Sequence, residues 1–191
     1  MNTVLLVLAV GLFLLALLIF ILPPSRGGGK GTYCAKEREH MPPEIGGGVL
    51  VLSEETVRTR HPAKIVAKPD QVYLTPDGLL VPVENKTRKI SRVYDYDRAE
   101  LAVQAFALRH GRTGRLNRYP VANHGYVAIR IDGRPPAYHR VELLSDEAIV
   151  SMRQRRLALE QGIVAPSAAS SPRICQKCSK AATCPRFQTI H

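Results

Sequence analysis

The sequence predicts an α/β domain with a central mixed β-sheet flanked by helices, preceded by one N-terminal transmembrane helix. Three observations support this prediction: an uncharged apolar run at the N-terminus, two segments of helical periodicity, and short β-type segments before and between them. The order of strands, helix, strands, helix is typical of a single domain built on a mixed sheet. A length of 191 residues fits one such domain with a small addition.

The addition is the apolar run Val4–Leu22, which contains no charged residue. At 1.5 Å per helical residue, it is long enough for the roughly 30 Å hydrocarbon core of a bilayer. A cleaved signal peptide is the alternative, but no Lys or Arg precedes the run and no small-x-small cleavage site follows it. Because basic residues lie on its C-terminal side, we expect an uncleaved anchor at residues 1–23 with the soluble part in the cytoplasm.

A Pro/Gly-rich tether at residues 24–32 joins this anchor to a domain expected to occupy residues 33–191. The predicted strands are VLVL, TVRTRHPAKIVA, DQVYL, LLVPVENK, YVAIRI and YHRVEL, in chain order. One helix is predicted for DRAELAVQAFALRHG, where Gly111 ends it. A second is predicted for SDEAIVSMRQRRLALEQG, where Ser145 is the N-cap and Gly162 ends the helix.

The chain is strongly basic, with a net charge of +11 and a pI near 9.9. A basic domain beneath a membrane could face anionic lipid or a polyanionic substrate, and a merely solvated basic surface is the alternative. Arg88, Lys89 and Arg92 could contact phosphates, and Tyr94 and Tyr96 could stack on bases.

The segment PDQVYLTPDGLLVPVENK carries the most informative charges. A two-residue loop in this hairpin would place Asp70 opposite Asn85, on the other face from Glu84. A three-residue loop, Pro76-Asp77-Gly78, pairs residue 75 with residue 79 and sets Asp70 opposite Glu84. Pro favours the first position of a turn and Gly favours the left-handed position that ends such loops. The turn chemistry therefore predicts that Asp70, Glu84 and Lys86 come together.

Two adjacent carboxylates in a sheet repel each other unless a positive charge lies between them. Asp70, Glu84 and the backbone carbonyl of Asn85 would provide hard oxygen ligands suited to Mg²⁺ or Mn²⁺. Lys86 could position or deprotonate a water and offset phosphoryl charge, so the group fits metal-assisted hydrolysis of a phosphodiester. An exposed ion pair between Glu84 and Lys86 on an edge hairpin is the alternative.

Three of the four cysteines, Cys175, Cys178 and Cys184, lie within ten positions near the C-terminus. Cytoplasmic thiols are kept reduced, so such a cluster favours a metal site over disulfides. Four thiolates suit either Zn²⁺ or an iron–sulfur cluster. His40 or His191 could instead complete a site of three cysteines and one histidine for zinc.

The combination PD-x13-E-N-K, followed by C-x2-C-x5-C, resembles the PD-(D/E)xK nuclease superfamily, and in particular its RecB-like, CRISPR-associated iron–sulfur exonucleases. The resemblance covers about Tyr33 to Pro185. It implies a restriction-endonuclease-like core acting on DNA, and a [4Fe–4S] cluster held by Cys34 together with the C-terminal trio. It also implies that Gln104, on the helix after the E-x-K strand, lies beside the metal ion and contacts substrate or water.

The sequence departs from this family at two places. Leu108 stands where the family usually has a Tyr, four residues after the Gln. The stretch between the first cysteine and Asp70 is short and broken by Pro and Gly, and it lacks the family's helical first motif. His40, Glu44, Glu54 or Glu55 could supply the missing metal ligand.

The resulting hypothesis is a membrane-anchored, cytoplasmic, metal-dependent DNA exonuclease, acting on single-stranded ends and stapled by an iron–sulfur cluster. A second hypothesis is a catalytically lapsed nuclease fold that binds nucleic acid or a protein partner at the membrane. A third is a scaffold stapled by zinc, without a role on nucleic acid.

Overall fold

The computed structural model describes residues 38–167, 175, 178–179 and 181–184. The chain divides into two compact units, Met1–Glu39 and His40–His191, and the elements below belong to the second. The predicted anchor, the tether and Cys34 lie outside the described residues. Within the part that the structure describes, no helix is both long and apolar enough to cross a membrane.

The unit is an α/β fold with a mixed five-stranded sheet, as the sequence predicts. The strands are β1 Val49–Ser53, β2 Val57–Thr59, β3 Ile65–Ala67, β4 Gln71–Leu74, β5 Leu80–Thr87, β6 His124–Arg130 and β7 Ala137–Glu142. The helices are α1 Pro43–Gly46, α2 Asp95–His110 and α3 Asp146–Glu160, and 3₁₀ turns cover Gly114–Arg118 and Ala181–Thr183. The sheet has the order β1-β4-β5-β6-β7, with β5 and β6 parallel and the other neighbours antiparallel.

The prediction of one strand across TVRTRHPAKIVA is wrong. The chain reverses at residues 60–64, and β2 and β3 pair as a separate two-stranded antiparallel sheet, with Val57 opposite Ala67. Pro62 has no N–H for a strand ladder, which disfavours a continuous strand through it. The hydroxyl of Thr59 donates to the carbonyl of Ala63 and closes the turn.

Both long helices end where the sequence predicts, and α3 also begins there, but α2 begins at Asp95, two residues before the predicted start at Asp97. Helix α2 ends at His110, and the N–H of Gly111 donates to the carbonyl of Ala107 at 2.7 Å. Helix α3 begins after Ser145, whose hydroxyl accepts from the backbone N–H of Ala148 at 3.3 Å. Gly162 follows its end with a φ of +70°, a conformation that L side chains rarely adopt.

Two helices cover opposite faces of the sheet at β5 and β6. Helix α1 places Ile45 in one core with Val83 and Tyr126. Helix α2 places Leu101 in another core with Val127, the neighbour of Tyr126 along β6. Because side chains alternate along a strand, these cores lie on different faces. The site described next lies on the α2 face.

Helix α2 lies close against its face because β6 carries a glycine there. A Cβ added to Gly125 would lie 2.8 Å from the carbonyl oxygen of Pro82 and 3.3 Å from Leu101. A larger residue would therefore push the helix away from the sheet. This close packing brings the polar side chains of α2 within reach of β5.

Candidate active site

The hairpin between β4 and β5 has the three-residue loop that the turn chemistry predicts. Gln71 lies opposite Val83, and Leu74 lies opposite Leu80. The N–H of Thr75 donates to the carbonyl of Leu79 at 2.9 Å, and Gly78 has a φ of +79°. The next pair outward from Gln71 is Asp70 with Glu84, so the predicted register is confirmed.

Asp70 and Glu84 are held at the end of this hairpin by different contacts. The Oδ2 atom of Asp70 accepts a hydrogen bond from the backbone N–H of Asn85 at 2.8 Å. Glu84 is only 4% exposed. The charge of Asp70 is close enough to raise the pKa of Glu84. The two carboxylates therefore share one site, as the sequence predicts.

Glu84 and Lys86 on β5 are paired with two residues of α2. The amide nitrogen of Gln104 donates to Glu84 Oε2 at 2.5 Å. The ammonium of Lys86 donates to Glu84 Oε1 at 2.6 Å and to Glu100 Oε2 at 2.7 Å. We call Asp70, Glu84, Lys86, Glu100 and Gln104 the carboxylate–lysine cluster.

The same pairing continues one step further along both elements. Arg88, two residues after Lys86, lies over the ring of Tyr96, four residues before Glu100, at 5.4 Å from the ring centroid. Two residues of a strand advance about 6.6 Å and four residues of a helix about 6.0 Å. Because these rises nearly match, three residues spaced by two, from β5 to the residue just after it, meet three residues of α2 spaced by four, in an antiparallel ladder.

Burial disfavours the ionised form of both carboxylates of the hairpin. Desolvation is the largest cause and raises the pKa of Glu84; together with the charges of Asp70 and Glu100 it outweighs the hydrogen bonds from Lys86 and Gln104, which lower the pKa. Desolvation also raises the pKa of Asp70, and the charges of Glu54 and Glu100 add to it. The site therefore holds more negative charge than its donors offset.

Lys86 is held firmly in its charged form. Desolvation lowers the pKa of Lys86, but hydrogen bonds and charge from Glu100 and Glu84 outweigh it, so the pKa is raised above its ordinary value. A lysine in this state stabilises negative charge and does not take a proton from water. This favours the phosphoryl-charge role over the water-deprotonating role that the sequence allows.

Two further carboxylates lie at the site. Glu100 is not among the predicted site residues, although its position four residues before Gln104 puts it on the same helical face, and that spacing is the signal that could have found it. Glu54, one of four candidates for the missing ligand, has a φ of +57° and pairs with Lys68. Its backbone N–H donates to the carbonyl of Pro69 at 2.9 Å, which brings it next to Asp70.

A second candidate, Glu44, lies elsewhere. Its carboxylate accepts from the hydroxyl of Tyr126 at 2.7 Å and lies 3.0 Å from His124 Nε2. Both partners project from the α1 face of the sheet, and His124 is 6% exposed. We call Glu44, His124 and Tyr126 the Glu44 cluster. Leu108, in the position of the family's Tyr, is 2% exposed in the hydrophobic core.

The hairpin carboxylates fit a small divalent cation in charge and ligand type. Mg²⁺ is typically bound by one or two carboxylates and several waters, so Asp70, Glu84 and the carbonyl of Asn85 form a sufficient protein contribution. Among the described residues, no group of three or more His, Cys, Asp or Glu side chains is arranged to hold a metal ion. Waters would therefore complete the coordination of a cation here.

The three C-terminal cysteines lie on one short, tightly turned segment. Backbone N–H groups of Cys178, Ala181 and Cys184 donate to the carbonyls three residues earlier, at 3.1, 3.1 and 3.2 Å. Cys175 and Cys184 are partly buried and Cys178 is exposed, and none of the three forms a disulfide. Their thiols suit zinc or an iron–sulfur cluster in chemistry. The proposed fourth ligand, Cys34, lies outside the described residues.

Comparison with known proteins gives a structural likeness and no family. No protein-family model matches the chain, and no curated protein matches it. A solved structure, "Crystal structure of SSO0001", has a TM-score of 0.39 with 16% sequence identity over 72% of this chain. The chain spans 59% of the length of that protein.

Proposed function

We propose that this protein is a metal-dependent DNA nuclease with a PD-(D/E)xK-type core, anchored in a membrane and acting on single-stranded DNA ends from the cytoplasmic side. The observation that carries the proposal is the confirmed hairpin register. It sets Asp70 beside Glu84 and places Lys86 and Gln104 against the same carboxylate. Those four residues are the ones that the family resemblance assigns to catalysis.

The roles of the residues follow from their contacts. Asp70 and Glu84 would hold Mg²⁺ or Mn²⁺, which polarises the scissile phosphate when bound. Lys86 fixes the orientation of Glu84 and stabilises charge on the phosphoryl oxygens. Gln104 holds the second oxygen of Glu84, so the carboxylate keeps its orientation.

The cysteines have a structural role in this proposal. Cys34, Cys175, Cys178 and Cys184 would hold a [4Fe–4S] cluster, with zinc as the alternative, and tie the two ends of the domain together. Full-length protein purified without oxygen should then contain about four iron and four sulfide per chain. Zinc in place of iron would select the alternative, and Cys178→Ser should lower the content of either.

The test of catalysis is cleavage of end-labelled single-stranded DNA by the full-length chain in mild detergent. We expect cleavage with Mn²⁺ or Mg²⁺ and none with chelator. Asp70→Asn and Lys86→Met should each lower the rate about a hundredfold or more. Glu160→Gln is the matched control, because Glu160 forms only an exposed ion pair with Arg156. Full activity in either site variant would remove that residue from the chemistry.

One observation favours a second function, a lapsed nuclease that binds DNA without cutting it. Lys86 is already shared between two carboxylates, and both oxygens of Glu84 have donors. A cation that binds Glu84 must therefore displace one of these donors. DNA binding that weakens with salt, with no cleavage under any divalent metal, would establish this function and end the first.

A further inference from the structure

The ladder between β5 and α2 ends in an exposed aromatic surface. Tyr94 and Tyr96 stack with ring centroids 5.3 Å apart and planes 6° apart. Arg88 lies 4.9 Å from the centroid of the Tyr94 ring, and Arg92 lies 5.4 Å from it. We call Arg88, Arg92, Tyr94 and Tyr96 the tyrosine platform.

Hydrogen bonds around Arg88 and Asp97 hold the platform in place. Arg88 donates to Asp97 Oδ2 at 2.8 Å, to Asp97 Oδ1 at 2.5 Å, and to the carbonyl of Arg92 at 2.7 Å. Asp97 is fully buried and also accepts from the backbone N–H of Tyr94 at 2.8 Å. The start of α2 and the loop before it are therefore fixed to the end of β5.

The rings of the platform remain exposed although they are apolar in part. Tyr96 is 60% exposed, Tyr94 is 36% exposed, and Ile90 in the same loop is 67% exposed. Rigid aromatic rings that remain in water provide stacking surface at little cost in conformational entropy. Such a surface is suited to a planar ligand that can stack on the rings.

Basic side chains border the platform on one side. A groove of about 530 Å³ lies beside it, between the 91–98 segment and β7. Arg92, Arg98 and Arg140 line this groove, together with His139 and with the carboxylates of Asp95 and Glu142. Of the three arginines, Arg140 is paired with Glu142. Planar rings next to guanidinium groups match a ligand made of alternating bases and phosphates.

We propose that the tyrosine platform and this groove form the subsite that binds single-stranded DNA next to the carboxylate–lysine cluster. One base stacks on Tyr96, and the phosphates that follow lie along Arg92 and Arg98. Duplex bases are stacked on each other and cannot reach the rings, so the subsite selects single strands. As a substrate subsite it rests on the proposed nuclease function, but its binding can be measured without cleavage.

The experiment is fluorescence anisotropy of labelled oligo-dT with the full-length chain in mild detergent and chelator. Tyr96→Leu should weaken binding about five- to hundredfold. Tyr96→Phe should bind as the wild type does, because the ring is retained. Arg92→Gln with Arg98→Gln should reduce the slope of log affinity against log salt by about 0.7 for each phosphate that the variant no longer neutralises. A labelled duplex of the same length should bind more weakly than oligo-dT.

The matched control is Tyr119→Leu, because Tyr119 also lies beneath an arginine, with Arg118 at 4.8 Å from its ring centroid. Thermal melts of every variant separate lost binding from lost folding. Unchanged oligo-dT affinity in folded Tyr96→Leu, or an equal loss in Tyr119→Leu, overturns the inference. Platform-dependent binding without any cleavage supports the inference while ending the nuclease proposal. If Tyr96→Leu binds oligo-dT with normal affinity and still cleaves DNA, the inference is overturned and the nuclease proposal is supported.

Discussion

Two polar clusters lie on opposite faces of one sheet, and the pKa values of their carboxylates shift in opposite directions. Desolvation raises the pKa of Glu44, but hydrogen bonds from Tyr126 and His124 and the charges of His124 and Arg140 together outweigh it, so the pKa is lowered. In the carboxylate–lysine cluster desolvation dominates, and it raises the pKa of Asp70 and Glu84. The Glu44 cluster has enough donors for its charge, whereas the other cluster has an excess of negative charge. Ionised groups that burial disfavours are concentrated at functional sites, so this contrast favours the carboxylate–lysine cluster over the Glu44 cluster as the candidate site.

The two clusters also differ in which helix they connect to the sheet. Glu44 belongs to the four-residue helix α1, and its contacts with β6 tie that helix to the sheet. The carboxylate–lysine cluster joins β5 to α2, which already pack through Leu101 and Gly125. Helix α1 is short and packs through Ile45, whereas α2 is long, so we expect the fold to depend on the polar contacts of the first cluster more than on those of the second.

The largest expected difference is in stability. Tyr126→Phe removes the hydroxyl that Glu44 accepts from, and we expect a loss of about 1–3 kcal/mol in the free energy of unfolding. Glu84→Gln keeps the shape of the side chain and removes a charge that burial disfavours. We expect its stability at neutral pH to equal or exceed that of the wild type. Urea unfolding in chelator measures both.

Tyr119→Phe is the control for that comparison, because the hydroxyl of Tyr119 accepts only from the exposed guanidinium of Arg118, at 2.8 Å. Tyr119→Phe should lower the free energy of unfolding by no more than about 0.5 kcal/mol. A loss in Glu84→Gln as large as that in Tyr126→Phe would make the carboxylate–lysine cluster structural and remove the contrast between the two faces.

A smaller difference is expected in the response to metal. A cation that binds only the folded protein stabilises it by about 1.4 kcal/mol at ten times its Kd. We expect Mn²⁺ to raise the Tm of the wild type and of Tyr126→Phe by similar amounts. Asp70→Asn should abolish this rise because it removes one of the two carboxylate ligands. An equal rise in Asp70→Asn would place the cation elsewhere on the molecule.

The parts of this site that the sequence predicts are local ones. The register of the hairpin depends on Pro76, Asp77 and Gly78, which lie between the strands that they align. The ends of both long helices follow from Gly111 and Ser145 in the same way. In each case the residues that decide the structure are neighbours in the chain, so their chemistry can be read directly.

The parts that the sequence does not predict depend on packing between distant segments. Glu44 meets Tyr126 across 82 positions, and nothing in either local sequence indicates the contact. The split of β2 from β3 is an exception, because Pro62 is a local signal against one continuous strand. The role of Glu100 depends on the depth at which α2 packs, and the close approach at Gly125 sets that depth.

The smallest expected difference is in the dependence of stability on pH, and its sign differs between the clusters. Glu44 has a lowered pKa, so its contribution is present above the ordinary value of 4.5 and is lost as pH falls through the folded-state pKa below it. Glu84 has a raised pKa, so its ionised form costs stability above 4.5, and protonation relieves that cost as pH falls toward 4.5. Each effect should stay under about 1 kcal/mol, because causes that raise and causes that lower the pKa partly cancel at both carboxylates.

Two variants test the two limbs of the curve of stability against pH, one above and one below pH 4.5. Glu84→Gln should flatten the change between pH 7 and 4.5, where Lys86, Glu100 and Asp70 still surround the position. Glu44→Gln should flatten the decline below pH 4.5, where Tyr126 and Arg140 remain nearby. Urea unfolding of both variants across this range measures the two slopes. If Glu84→Gln changed only the limb below pH 4.5, Glu84 would be ionised at little cost, and the surplus charge that supports a cation site would be absent.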